Sequence, residues 1–302
     1  MNSNLDNLMN YAQSLGCVCA KDEPMSSHTS FGIGGPADLF IVPPDERALE
    51  KIIHKCREWD ICVTIVGGGT NLLVSDNGIE GVVLSTSALS SISIKNNEIE
   101  CGAGAKLMAL CTLAKDNNLS GLEFAYGIPG TAGGAVYMNA GAYGGEMSGV
   151  LLSARHIDEH GQIGEFNAGE LNLGYRTSVY SGGSYTILSA KLRLEPGSSD
   201  EIAAKMADFM NRRLTKQPYE ARSAGSVFKR PPGQFAGSLI EQCGLKGRQA
   251  GGAMVSDKHA GFIINAGGAT CEDVMNLVDI IQREVLTQTG FILECEIKRI
   301  GR

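Results

Sequence analysis

The chain has 302 residues, of which 43% are hydrophobic and 20% are charged, a composition typical of folded globular proteins and not of disordered ones. The formal net charge is −7 and no basic tract is present, which argues against a nucleic-acid partner. No apolar run approaches the ~18 residues that a membrane span requires, and the N-terminal residues lack the pattern of a secretion signal.

Cysteine and glycine counts carry further information. Nine cysteines are scattered without a disulfide or metal-binding spacing, which predicts reduced thiols in the cytoplasm and no metal site. Glycine is in excess, at 39 of 302 residues, which predicts sharp turns and loops that approach a ligand closely. A chain of this length is expected to form about two domains.

Helices and strands are interleaved in the first two thirds of the chain. A leading helix is predicted over residues 1–24, with apolar Leu5, Leu8 and Met9, and it ends before Pro24. Asp45 is the predicted N-cap of a second helix. The other predicted elements are strands at 37–42, 61–66, 72–74, 81–84, 91–94, 98–101, 150–157, 162–166 and 185–194, and a helix at 105–117.

The composition changes at residues 195–197, Glu-Pro-Gly, which predicts a domain boundary. Beyond it we expect helices over 198–216 and 236–243, a strand over 261–264, a helix from the N-cap Thr270 to Gly290, and a final strand over 291–300. In that final strand Glu294, Glu296 and Lys298 share one face, a pattern typical of a solvated strand.

The glycine triplet 67–69 invites a dinucleotide-binding interpretation. It lacks the GxGxxG spacing, however, and it leads into another short strand instead of a crossover helix. We therefore expect a phosphate to bind a loop of backbone amides here, with an ordinary turn as the alternative.

The segment 126–145 contains seven glycines and four alanines among its twenty residues. Such a segment buries little apolar area of its own but lets the backbone approach a ligand. Thr131 is a plausible helix N-cap after Pro129, and helix N-termini suit phosphate. The segment predicts a cradle for a large phosphorylated cofactor, with a tight turn and a closely packed helix as the alternative.

Several motifs then occur in a fixed order. They are residues 29–35, 67–71, 126–145, 175–178 (Tyr-Arg-Thr-Ser), 212–218, 224–229, 258–262 and 294–296. In this order, and over nearly the whole chain, they closely resemble the UDP-N-acetylenolpyruvoylglucosamine reductase (MurB) family. The short interval 176–185 is similar to that of the family's type II members.

The resemblance implies an α+β fold: a FAD-binding domain of the vanillyl-alcohol-oxidase (PCMH) type with two subdomains, followed by a smaller α+β substrate-binding domain. With this chain's boundaries, these are a helical lead over 1–24, the FAD-binding domain over 25–197 and the substrate-binding domain over 198–302. It further implies non-covalent FAD, NADPH as co-substrate, a nucleotide-sugar substrate and a cytoplasmic monomer without membrane or nucleic-acid partners.

The resemblance also implies site residues. Catalytic roles fall on Arg176 and Glu296, which polarise the substrate carboxylate, and on Ser226, which donates a proton. The implied cofactor-binding residues are Gly67, Gly68, Gly69, Thr70, Asn71, Leu72, Gly127, Pro129, Thr131, Gly133, Gly134, Asn139, Gly141 and Ala142. The implied substrate-binding residues are Tyr175, Lys216, Lys229, Arg230 and His259. Arg230 stands where the family usually has Asn, and Cys295 where it usually has Pro.

Two alternative functions remain open at this point. One is another FAD-dependent oxidoreductase of the same fold, which would be reduced by an alcohol or amine instead of NADPH. The other is a nucleotide-sugar-binding regulator that kept the fold and lost the chemistry, and such a protein would be colourless when purified.

Overall fold

The computed structural model describes residues 3–302. Seven α-helices lie within them: Ser3–Ser14, Glu46–Glu58, Leu107–Asp116, Ala132–Tyr137, Ser199–Lys216, Ala236–Gln242 and Cys271–Thr289, here α1 to α7. No helix in this part of the chain is both long and apolar enough to cross a bilayer. The helices alternate with short strands, and two of them, α2 and α7, begin at side-chain caps. Asp45 accepts a hydrogen bond from the N–H of Ala48, and Thr270 forms a capping box with Asp273, as the sequence predicts.

The contacts divide the chain into two compact units. Unit 1 comprises residues 1–21, 39–68 and 81–211, and unit 2 comprises residues 22–38, 69–80 and 212–302. Unit 2 therefore takes two early segments in addition to the C-terminal third of the chain. The predicted domain limits at 24/25 and 197/198 stay a prediction, since the domains of a family need not coincide with contact clusters.

Two larger sheets contain half of the strands in the described residues. The first has the spatial order Val18–Pro24, Pro36–Val42, Ile79–Ser85 and Val63–Val66, and its last two strands are parallel. The second is antiparallel and has the order Ile163–Asn167, Leu151–Ile157, Thr186–Arg193, Glu98–Gly102 and Ile92–Lys95. Leu110 of α3, Val136 of α4 and Leu192 belong to the core cluster of the second sheet, which buries apolar area away from water.

The remaining strands are short. Gln249–Ala250, Ala253–Val255 and Ile263–Asn265 form a three-stranded sheet, and Leu72–Val74 pairs in parallel with Lys298–Ile300. Two pairs have only two residues per strand: Gly141–Ala142 with Gly145–Glu146, and Leu119–Ser120 with Glu195–Pro196. In unit 2, Phe31, Leu73, Phe228 and Val278 belong to one buried cluster.

The predicted leading helix is wrong beyond Ser14, and residues 1 and 2 lie outside the described part of the chain. The apolar positions Leu5 and Leu8 both precede Gly16, whose φ of +80° ends the helix. Residues 18–24 form a strand instead, because they find hydrogen-bonding partners in the strand Pro36–Val42.

The predicted final strand over 291–300 is also wrong for most of its length. Only Lys298–Ile300 is a strand, and residues 291–297 contain a single bridge, at Cys295. The segment changes its partner on the way. Glu294 and Glu296 hydrogen-bond to residues 227–229, whereas the N–H of Lys298 donates to the carbonyl oxygen of Asn71 at 2.9 Å.

Candidate active site

The glycine triplet begins directly after the strand Val63–Val66 of unit 1. A Cβ atom added to Gly67 would lie 2.9 Å from Oγ1 of Thr131 and 3.9 Å from Oγ1 of Thr86. The N–H of Thr86 in turn donates to the carbonyl oxygen of Val66 at 3.0 Å. The absence of a side chain therefore lets the end of this strand approach two hydroxyl groups.

Thr131 carries an unsatisfied hydroxyl. It occupies the N-cap position of α4, as predicted, but its side chain makes no capping bond. Within residues 3–302 its Oγ1 is the one buried side-chain N or O atom without a hydrogen-bond partner. Leaving such a group unpaired costs about 1–3 kcal/mol. The hydroxyl beside Gly67 is therefore available to a bound polar group, and this fits the phosphorylated cofactor that the segment predicts.

The first amides of α4 donate to backbone carbonyl oxygens. The N–H of Ala132 donates to the carbonyl oxygen of Ala105, and the N–H of Gly133 to that of Ala103, both at 2.8 Å. The helix has only six residues. Its first amides are thus occupied within unit 1, and cofactor binding by this segment stays a prediction.

Glycine serves packing as well as ligand access in this segment. A Cβ on Gly133 would lie 2.8 Å from Cβ of Ala103, so the helix can approach the adjoining strand only without a side chain there. Gly127 has a φ of +82°, which favours glycine, and Gly141 pairs with Glu146 in a short hairpin. Cofactor contact by Gly127, Pro129, Gly133, Gly134, Gly141 and Ala142 stays a prediction.

Asn139 holds two loops together. It is 1% exposed, and its Nδ2 donates to the carbonyl oxygen of Gly174 at 3.1 Å while its Oδ1 accepts from the N–H of Ser148 at 2.9 Å. The hydroxyl of Ser178 adds a bond to the carbonyl oxygen of Tyr137 at 2.8 Å. The predicted cofactor residue Asn139 is thus a structural link to the turn that carries Arg176.

Arg176 lies at the tip of that turn. Gly174 and Thr177 pair across the turn, and Arg176 has a φ of +56°, which costs a non-glycine residue about 1 kcal/mol or more. Its Nη2 donates to the carbonyl oxygen of Gly141 at 3.3 Å, and its guanidinium lies 5.2 Å from the ring centre of Tyr175. The sequence Leu-Gly-Tyr-Arg therefore presents a partly buried cation in a fixed backbone conformation.

In unit 2 the end of the glycine triplet is held by the early segment of the chain. A Cβ on Gly69 would lie 1.9 Å from the carbonyl oxygen of His28, and the N–H of Ser30 donates to the carbonyl oxygen of Gly69 at 3.1 Å. Two residues later, Nδ2 of Asn71 donates to the carbonyl oxygen of Glu296 at 3.2 Å. Asn71 thus fixes the backbone of a predicted catalytic residue.

Ser226 and Glu296 lie on paired segments of unit 2. The N–H of Glu296 donates to the carbonyl oxygen of Val227 at 2.7 Å, and Phe228 forms a bridge with Cys295. Both side chains are partly buried, and the hydroxyl of Ser226 donates to the carbonyl oxygen of Phe228 at 3.2 Å. The structure thus brings a hydroxyl and a carboxyl group onto neighbouring stretches of backbone, an arrangement that can supply a proton and hold a polar ligand.

The residues after Phe228 present cations at the surface. Nζ of Lys229 lies 3.2 Å from a carboxylate oxygen of Glu294, and the guanidinium of Arg230 lies 4.9 Å from the ring centre of Phe235. Phe235 is 59% exposed and was not among the predicted site residues.

Three further predicted substrate residues differ in their surroundings. Lys216 is exposed at the last position of α5, and Tyr175 is exposed on the turn of unit 1. His259 is half-buried, and its Nδ1 accepts a hydrogen bond from the N–H of Gly261 at 3.0 Å. Burial is the largest cause that lowers the pKa of His259 below its ordinary value. Substrate contact by these three residues stays a prediction.

The predicted catalytic residues divide between the units. Arg176 belongs to unit 1 together with Gly67, Thr131 and Asn139, whereas Ser226, Glu296, Asn71 and His259 belong to unit 2. Their assignment as site residues stays a prediction. The structure shows the hydrogen bonds and backbone conformations that hold the segments on which they lie.

Comparison with known proteins first defines the class. Residues 37–167 match the model of an FAD binding domain, and the hydroxyl and glycines of unit 1 described above fit such a cofactor. The chain is thus an FAD-binding flavoprotein of the oxidoreductase class. A wild-type BBE-like 1 protein of Physcomitrella patens has a TM-score of 0.50 at 15% identity, over 63% of this chain and 44% of that chain. That likeness concerns the fold alone.

The family follows from closer matches. Residues 217–300 match the model of the UDP-N-acetylenolpyruvoylglucosamine reductase C-terminal domain. The UDP-N-acetylenolpyruvoylglucosamine reductase of Clostridium perfringens is 47% identical over 281 residues, which is 93% of this chain and 92% of that protein. The crystal structure of the reductase from Thermus caldophilus has a TM-score of 0.80 at 34% identity, over 94% of this chain and 98% of that one. The chain belongs to the UDP-N-acetylenolpyruvoylglucosamine reductase family, and the predicted fold class and resemblance are confirmed.

Proposed function

We propose that this protein reduces the enolpyruvyl ether of UDP-N-acetylglucosamine enolpyruvate to UDP-N-acetylmuramate, with NADPH as the hydride donor. The observation that carries the proposal is the pairing of the Ser226 segment with Glu296, at 2.7 Å between the N–H of Glu296 and the carbonyl oxygen of Val227, in a chain of this family. NADPH is the donor that the sequence resemblance implies. When bound, FAD supplies the two-electron carrier through which the hydride reaches the substrate.

The chemistry explains the residues. Addition of hydride to the terminal carbon of the enolpyruvyl group leaves negative charge on the adjacent carbon and its carboxylate. Ser226 donates a proton to that adjacent carbon, which completes the reduction. Arg176 and Glu296 are proposed to stabilise the carboxylate as its charge grows. Glu296 performs this role when it is protonated or bridged by a cation, because two bare carboxylates would repel each other.

The proposal includes a cytoplasmic location and a monomeric state. The odd number of cysteines favours a reducing cytoplasm, and the resemblance implies a monomer that acts on a small nucleotide-sugar. The substrate and product are consistent with a role in the synthesis of peptidoglycan precursors, which the family carries out.

The experiment is product analysis with purified holoprotein. Incubation with NADPH and UDP-N-acetylglucosamine enolpyruvate is expected to give a product that mass spectrometry finds two hydrogen atoms heavier than the substrate, and incubation without NADPH is expected to give none. Ser226→Ala is expected to slow the enolpyruvate step by roughly 10²–10⁴-fold and to leave flavin reduction nearly intact. Ser223→Ala, in the same loop, is the matched control. Loss of both half-reactions in Ser226→Ala would make Ser226 structural.

A further inference from the structure

We propose that His259 is a positioning residue for Ser226, and that it acts as a neutral imidazole whose Nδ1 holds the N–H of Gly261. The inference deepens the proposed function and rests on it, since it takes Ser226 as the proton donor. It concerns only residues of unit 2.

A short relay of hydrogen bonds joins the imidazole to the backbone of Ser226. Nδ1 of His259 accepts from the N–H of Gly261 at 3.0 Å. The carbonyl oxygen of Gly261 accepts from the N–H of Val227 at 2.9 Å, and Ser226 itself pairs with Phe262 in an isolated bridge. The residue whose N–H the imidazole holds is thus the residue whose carbonyl oxygen receives the segment 226–228.

The imidazole ring of His259 lies against two glycines and the ring of Phe262. A Cβ on Gly237 would be 3.0 Å from its Cε1, and a Cβ on Gly261 would be 2.9 Å from the same atom, so two glycines make room for the ring. The ring of Phe262 contacts it edge-on, with centroids 5.1 Å apart. Packing therefore fixes the ring, and Nδ1 is the acceptor that it presents to the N–H of Gly261.

The segment 226–228 is held from two sides. On the side opposite Gly261, the carbonyl oxygen of Val227 accepts from the N–H of Glu296 at 2.7 Å. Loss of the imidazole acceptor leaves this second attachment in place. The expected consequence is a shift of Ser226 within a folded protein, and misplacement of a reacting group by about 1 Å can slow a reaction by about 10²-fold.

The protonation state decides whether the imidazole can accept. A proton on Nδ1 would replace the lone pair that receives the Gly261 N–H, so the relay requires the neutral ring. Lys246 and Glu241 are the charged groups that act on His259 from neighbouring elements, in opposite directions, and they are themselves paired at 2.6 Å. On its own turn, Lys258 lies 3.6 Å from a carboxylate oxygen of Glu220. Burial lowers the pKa of His259, which favours the neutral form.

Three substitutions separate the acceptor from the ring. His259→Phe keeps a ring over Gly237 and Gly261 but has no acceptor. His259→Asn places an amide oxygen near the position of Nδ1, and His259→Gln places one near Nε2. His160→Phe, at a side chain that is 72% exposed, is the control for removal of a histidine elsewhere.

The measurement is anaerobic stopped-flow reoxidation of the reduced holoprotein by UDP-N-acetylglucosamine enolpyruvate, at several substrate concentrations and from pH 5.5 to 8. His259→Phe is expected to lower the limiting rate at least roughly tenfold, with flavin reduction by NADPH unchanged. Wild type is expected to lose rate at low pH, and His259→Asn is expected to recover most of the His259→Phe loss and to abolish this fall. His259→Gln is expected to resemble His259→Phe.

The outcomes distinguish this inference from the proposed function. The positioning role is overturned if His259→Phe has the wild-type limiting rate of reoxidation, or if it raises only the half-saturating substrate concentration. In either case a lowered reoxidation rate in Ser226→Ala still supports the proposed function. A wild-type rate in Ser226→Ala overturns the assignment of the proton donor whatever His259 does. If His259→Phe does not fold, the pH dependence of His259→Asn tests the inference. A reoxidation rate that still falls at low pH in His259→Asn contradicts it.

Discussion

The side-chain amide of Asn71 donates a hydrogen bond to the main-chain carbonyl oxygen of Glu296 across 3.2 Å, although 225 residues separate them in sequence. The backbone of Asn71 makes a second link, because its carbonyl oxygen accepts from the N–H of Lys298 at 2.9 Å. The end of the glycine-rich loop therefore aligns the segment that carries a proposed catalytic carboxyl group.

This relationship predicts the effect of Asn71→Ala. Without the amide donor the backbone at Glu296 is less fixed, so reoxidation by the enolpyruvate substrate is expected to slow by roughly tenfold, about 1.4 kcal/mol of transition-state stabilisation. Flavin reduction by NADPH is expected to remain unchanged. Asn117→Ala is the control, since that side chain donates to the carbonyl oxygen of Leu113 in the helix that it caps. A loss of FAD with no change in the reoxidation rate would show that Asn71 serves the cofactor instead.

A second prediction concerns the unsatisfied hydroxyl of Thr131. If it is a hydrogen-bond partner of FAD, Thr131→Val removes a bond worth about 1 kcal/mol and lowers FAD affinity by roughly fivefold. The same change removes a buried polar group without a partner within the described residues, so the free energy of unfolding of the FAD-free protein is expected to stay constant or rise. Fluorescence titration and urea denaturation measure the two quantities.

Thr131→Ser keeps the hydroxyl and serves as the matched control. It is expected to bind FAD nearly as wild type does. Equal FAD affinity in Thr131→Val and wild type would mean that the hydroxyl does not meet the cofactor.

A third prediction compares two carboxyl groups of one segment. Glu296 is partly buried on the stretch paired with Val227, whereas the side chain of Glu294 is 72% exposed and faces Lys229 at 3.2 Å. Glu296→Gln is expected to slow flavin reoxidation by at least roughly tenfold and to leave flavin reduction and stability unchanged. Glu294→Gln removes only an exposed ion pair, worth under about 1 kcal/mol. Equal and small effects of both substitutions on stopped-flow reoxidation would remove Glu296 from the mechanism.

A fourth prediction follows from His156, which is 4% exposed and stacks on Phe166 with ring centroids 4.3 Å apart. Burial is the main cause that lowers its pKa below the ordinary value of 6.5. Above that pH the ring is neutral in both the folded and the unfolded chain. Below it the unfolded chain binds a proton that the folded chain resists, so the free energy of unfolding falls as the pH falls through the folded pKa.

The variant that tests this is His156→Phe. Urea midpoints at pH 5.5, 6.5 and 7.5 are expected to vary less with pH in His156→Phe than in wild type. His160→Phe, at an exposed position, is expected to keep the wild-type dependence. An unchanged pH dependence in His156→Phe would assign the acid sensitivity to other groups, with the half-buried His259 as the first to examine.

The sequence predicted the features that depend on neighbouring residues. The caps at Asp45 and Thr270 and the end of α7 at Gly290, with a φ of +76°, are all confirmed. Each of these signals depends on residues within about four positions of one another, so the local sequence predicts the side-chain hydrogen bond or the backbone conformation.

The features that pattern alone missed depend on distant partners. Residues 18–24 form a strand because the strand Pro36–Val42 pairs with them. Residues 291–297 are not a continuous strand, because the backbone partner of the segment changes from Val227 at Glu296 to Asn71 at Lys298. Likewise, the bond from Asn139 to Gly174 crosses 35 residues. Periodicity reports which side chains are apolar, but it does not report which backbone a segment will meet.

In the proposed reaction the reduced protein delivers its electrons to an enolpyruvyl ether. The direct measurement is anaerobic spectrophotometry of the wild-type holoprotein, first titrated with NADPH and then with UDP-N-acetylglucosamine enolpyruvate. One equivalent of NADPH is expected to bleach the flavin absorbance, and one equivalent of the enolpyruvate is expected to restore it fully, with UDP-N-acetylmuramate as the product. Flavin that NADPH leaves oxidised, or that reoxidises only when oxygen is admitted, would contradict the account.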